Sequence, residues 1–119
     1  RTVAFTDLFV GPVPTGGRDA YRAYAEKMGR LTMQAGALSV AAYWASGIPD
    51  GMPAALAATV DVGPDETLVM RVVKWPSRQA RDTGWAKMMT FAARQAEPID
   101  VPFDRSRVRY AGFEELTAD

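Results

Sequence analysis

The stretch TLVMRVVKWPSRQARD, Thr67 to Asp82, decides how the rest of the chain is read. Its first nine residues alternate, with Val69, Val73 and Trp75 on one side of a strand and Leu68, Met70 and Val72 on the other. A strand apolar on both faces belongs inside a layered domain, covered on each side. Pro76 then stops the strand, and Ser77 stands where a helix N-cap hydroxyl would serve the first free backbone N–H groups. The helix that follows is expected to run to about Ala93 and to bury Ala80, Trp85, Met88, Met89 and Ala92.

Working outward, VAFTDLFV (Val3 to Val10) alternates with aromatic and β-branched residues, a strand with Phe5, Asp7 and Phe9 on one face. The following GPVPTGG is expected to stop it. From Arg18 to Gln34 apolar residues recur at helical spacing, with Gly36 placed to end the helix in a left-handed turn. LSVAAYWA (Leu38 to Ala45) reads as a strand, followed by the turn-rich SGIPDGMP. AALAATVDV (Ala54 to Val62) is expected to form a hairpin with Thr67 to Trp75 across the turn GPDE. The proline-punctuated EPIDVPFD leads to a last strand in RVRYAGFEEL.

The expected order is β-α-β-β-β-α-β in one domain, 1–119. The economical solution is α+β: a ferredoxin-like antiparallel sheet with two helices on one face. The uncovered face is apolar too, so a homodimer through sheet faces is expected.

The 119 residues include fourteen basic and fourteen acidic ones and no Cys, His or Asn. Disulfides, thiolate nucleophiles, Ser-His-Asp triads and imidazole-held metals therefore fall away, and no metal or cofactor is called for. Balanced charge disfavours nucleic acid. The absence of a long apolar run disfavours a membrane span and points to the cytoplasm, while the start at Arg1 leaves a trimmed leader open.

Asp7 and Glu114, carboxylates in apolar strands, and Arg71 are the candidate catalytic residues, because a buried charge is costly unless paired. Arg81, Tyr110 and Trp85 are the candidate ligand-binding residues. Tyr21, Tyr24 and Trp44 could join the latter two around a planar ligand, though large aromatics are mostly core. Two arginines in the first turns of a helix sit at the wrong end of its dipole. Arg81, turned about one hundred degrees from Asp82, is expected to bridge Asp104, with Glu114 as the alternative partner.

GPVP after the first strand, AYR, GAL, IPDG, DET, PSRQARD and the closing VPFDRSRVRYAGFEEL fall in an order that resembles the YbaA-like family of uncharacterised bacterial proteins. That resemblance implies a dimeric α+β barrel, in which two ferredoxin-like sheets face each other, and it implies no activity. Against the family pattern, acids of the second strand and just beyond it are replaced at Ser39, Ala42, Ser46 and Gly47, and a customary serine is Arg71. Two functions follow. The preferred one is a non-catalytic homodimeric binding or interaction module. The alternative is a small-molecule-binding, cofactor-independent enzyme, monooxygenase-like by fold analogy, with Asp7 or Glu114 as base and Arg71 or Arg81 holding an anion.

Overall fold

The structure is a computed structural model that describes residues 3–47 and 56–118. It contains β1 (Phe5–Pro14), α1 (Arg18–Gln34), β2 (Ser39–Trp44), a helical turn α2 (Leu56–Thr59), β3 (Glu66–Trp75), α3 (Arg78–Ala93) and β4 (Arg109–Glu114). The strands form one sheet in the order β2-β3-β1-β4, with every neighbouring pair antiparallel.

The sequence places the two long helices well because each carries its own end signal. Ser77 is extended and its hydroxyl accepts the Ala80 N–H at 3.0 Å, which starts α3. Gly36 adopts φ +113°, and the N–H groups of Gly36 and Ala37 close onto the carbonyls of Met33 and Thr32, the paired bonds of a Schellman end.

Three expectations are corrected. Leu56–Thr59 is helical rather than a hairpin strand, as suits an alanine-rich run that forms helix readily and strand poorly; Ala54 and Ala55, like most of the SGIPDGMP turn, lie outside the described residues. β1 does not stop at GPVP but continues to Pro14, paired with β3 as far as Pro14 opposite Glu66. The Thr15 N–H donates to Asp65 in the β3 direction, so the missing N–H groups of Pro12 and Pro14 fall on the other side of β1. The partner strand β4 begins only opposite Val10, so β1 is there an edge that tolerates proline. Finally, α3 presents Gly84 to the sheet: a Cβ there would come within 2.3 Å of the ring of the buried Trp75. The inward side of the helix thus carries Gly84, Met88 and Phe91, leaving Trp85 at 39% and Met89 at 77% exposure.

One sheet face, carrying Phe5, Asp7 and Phe9 of β1, packs against α1 and α3. On the opposite face lie Leu8, Val72 and Met70, with Tyr43 and Phe113 about half exposed. No helix among the described residues is long and apolar enough to cross a membrane.

Candidate functional site

The antiparallel register sets Asp7 beside Val73 on one side and Gly112 on the other, in the middle of the helix-covered face. Its carboxylate is fully buried and surrounded by donors. Oδ2 accepts the indole N–H groups of Trp75 at 2.9 Å and Trp85 at 3.1 Å; Oδ1 accepts the Tyr110 hydroxyl at 2.6 Å and Arg81 Nη1 at 3.4 Å. Gly112 makes this possible, because a Cβ at that position would occupy the place of the Tyr110 hydroxyl and of the Phe5 ring edge. Arg81 lies between the rings of Phe5 and Trp85, 4.6 and 4.4 Å from their centroids, and also donates to Tyr110 and Asp82. Burial, then the hydrogen bond to Asp7, pushes the Tyr110 phenol up to about 12.

Sequence reasoning therefore names Asp7, Arg81, Trp85 and Tyr110, which the fold brings together, and misses Trp75, whose indole N–H was hidden behind its value as core bulk. It also misassigns the partner of Arg81. Arg81 bridges Asp7 and its own neighbour Asp82, at 2.7 Å, because the long side chain folds back across the angle between the two positions. Asp104 instead caps the turn Arg105–Arg107, accepting from the Ser106 N–H and hydroxyl. Glu114 is exposed and outside the cluster.

Arg71 lies apart from this network, on the same face, with its guanidinium largely out of water. Its Nη2 donates to the buried Thr32 hydroxyl at 2.7 Å, and its side chain lies over the Phe9 ring. Among the described residues no carboxylate comes within bridging distance of it, and Nε is buried without any partner. Burial lowers the guanidinium below its ordinary value, though an arginine stays charged. Three clefts meet at this side chain: one between α1 and β2, one between α1 and α3, and one of about 250 Å³ under Tyr21, Tyr24 and Phe103. Tyr21 also packs near Trp44, so the tyrosines read as core are core on one side and cleft wall on the other.

Elsewhere, Glu66 receives a bidentate pair from Arg107, at 2.6 and 2.8 Å, and the Gly63 N–H. These bonds, Arg107's first, hold its carboxyl down at about 2. Among the described residues no group of three acidic, histidine or cysteine side chains could hold a metal ion.

What fold and cluster define is an α+β protein with a four-stranded antiparallel sheet, whose helix-covered face holds a saturated carboxylate, Asp7, and a guanidinium, Arg71, that meets no carboxylate among the described residues. The chain belongs to the family described as "Protein of unknown function (DUF1428)", whose model matches residues 4–105. It is 35% identical over 112 residues to "Uncharacterized protein YbaA" of Escherichia coli K12, covering 94% of this chain and 96% of that one, and a Shigella flexneri relative matches equally. The YbaA-like resemblance read from the motifs thus stands. The crystal structure of the NE2512 protein of unknown function from Nitrosomonas europaea covers 100% of this chain and 96% of its own, with TM-score 0.42 and 15% identity.

Proposed function

We propose that the chain is one ferredoxin-like domain acting as a homodimeric, non-catalytic binding module that holds a small molecule between α1 and the sheet. The observation that carries this reading is Arg71: a half-buried cation whose Nε is sealed from water, with no carboxylate partner among the described residues, at the meeting point of three clefts. A charge kept out of water needs a counter-charge. A bound anion supplies it. Asp7 offers no comparable opening for acid–base chemistry, since each of its oxygens already accepts two donors. The dimer rests on the apolar outer face, where Tyr43 and Phe113 flank Leu8, Met70 and Val72; a matching face from a second copy would bury them.

Native mass spectrometry of protein isolated gently from cells tests the reading. A dimer carrying a bound small molecule that Arg71→Met loses is the expected result. A bare protein, or a bound mass indifferent to Arg71→Met, would overturn it.

A further inference from the structure

We infer that the pocket walled by Tyr21, Tyr24 and Phe103 takes a compact aromatic carboxylate, its anionic group on Arg71 and its ring among the aromatic side chains. The inference rests on the small-molecule reading above and adds the ligand's class and seat. Of the three clefts at Arg71, this one has two arginines, Arg71 and Arg105, and no acid in its lining. The larger groove between α1 and β2 is richer in cations, with Arg18, Arg22 and Arg30 beside Arg71, but these three and its Glu26 are exposed side chains whose charge water and salt screen. The cleft between α1 and α3 is lined by Met28, Met88 and Met89 and offers an anion no second cation.

The polar groups left over agree. Arg71 spends one bond on Thr32 and leaves Nε without a partner. The hydroxyls of Tyr21 and Tyr24, on the wall of the same pocket, make no hydrogen bond among the described residues. Tyr21 is buried as a residue, yet its hydroxyl is not among the polar atoms sealed from water, so it is accessible to donate to a ligand oxygen. One guanidinium and two phenols thus line the same pocket as donors with bonds to spare. Arg105 is exposed and its charge is screened by water, so Arg71 is the one cation of the pocket drawn out of solvent, and it balances one negative charge, which suits a carboxylate better than a phosphate approaching two.

Volume and walls set the ligand's body. The cavity, about 250 Å³, is smaller than the roughly 300–1,000 Å³ of clefts for drug-sized ligands, so it fits a one-ring molecule. Tyr24 meets Phe103 edge-on, centroids 5.1 Å apart at 88°, and Tyr21 lies 6.0 Å from the same ring. An inserted ring would join this set of tilted aromatic contacts.

The test is an amide NMR titration of the full chain with benzoate, its neutral counterpart benzyl alcohol, and inorganic phosphate. Benzoate is expected to shift the amides of Gly11, Tyr24 and Val69 and to bind at least about tenfold more tightly than benzyl alcohol, as a charge-assisted bond implies. Arg71→Met should erase that preference, and Tyr24→Phe should weaken benzoate alone, which serves should the arginine variant not fold. Equal binding of benzoate and benzyl alcohol would overturn the carboxylate assignment while leaving a small-molecule module standing. Displacement by phosphate at equal concentration would overturn the aromatic class, and shifts confined to Val40–Trp44 would overturn the seat. Silence from all three probes at millimolar concentration would overturn the inference, whereas the function reading fails only if the cell-derived protein also carries no molecule.

Discussion

Replacing Arg81 with methionine asks how much of the Asp7 cluster depends on charge. Removing one partner of a buried pair costs about 3–5 kcal/mol when it strands the other. Here the Arg81 side chain is only 11% exposed and the Asp7 side chain not at all. Asp7 would keep three neutral donors, and its bond to Arg81 is the longest of the four at 3.4 Å. Methionine also retains part of the packing between Phe5 and Trp85. The expected loss is therefore near the lower end, about 3 kcal/mol. Asp7→Leu should cost more, because it strands the indole N–H of Trp75, which is 1% exposed and cannot turn to water, as well as the guanidinium. In the double variant the guanidinium is no longer stranded, so the losses should fall short of additive by about 1–3 kcal/mol. Urea unfolding followed by tryptophan fluorescence measures all four proteins. Additive losses, or a costlier Arg81→Met than Asp7→Leu, would refute the assignment of Asp7 as the charge that Arg81 serves.

Tyr110, whose phenol is raised from 10.0 to about 12, holds its proton longer folded than unfolded. Its contribution is thus fully present below pH 10 and is lost as pH rises toward 12; Tyr110→Phe should flatten alkaline unfolding in that window, and an unchanged profile would count against it. Glu66, lowered from 4.5 to about 2, contributes above pH 4.5 and loses that contribution as pH falls toward 2, so Glu66→Gln should be less acid-sensitive there in circular dichroism. Gly84→Ala gains about 1 kcal/mol of helix propensity but drives a methyl into Trp75, an overpacking cost of about 1–3 kcal/mol, and should lower the melting temperature; a rise would mean that α3 sits farther from the sheet. Light scattering at micromolar concentration should give twice the 12.9 kDa of one chain, with Val72→Glu shifting it to monomer; a wild-type monomer would remove the sheet-face dimer.

What the sequence discloses is what is encoded locally. Ser77 and Gly36 mark helix ends through hydrogen bonds reaching only a few residues, and the alternation of β3 states its own two faces. What it withholds depends on partners far along the chain. Pro12 and Pro14 look like strand breakers until β4 is known to begin only beside Val10. Asp7 and Arg81 both look like site residues, yet 74 positions separate them and nothing local pairs them. Gly84, without a side chain to be counted, hides the fact that it faces Trp75 and so fixes which side of α3 turns inward. The isolation of Arg71 is legible only in three dimensions, since it consists of carboxylates that do not arrive.

The spacing of the Asp7 contacts also orders events in time. Its hydrogen-bond partners lie 68, 74, 78 and 103 residues away, from β3 and α3 to the last strand. Contacts this distant carry the largest loop-closure cost, so they belong to the late part of the folding reaction rather than to its nucleus. During synthesis Asp7 emerges early and must wait in water until β4 has left the ribosome. Substitutions in the cluster should accordingly quicken unfolding far more than they slow folding, making it a latch that sets the lifetime of the native state and not the speed of reaching it.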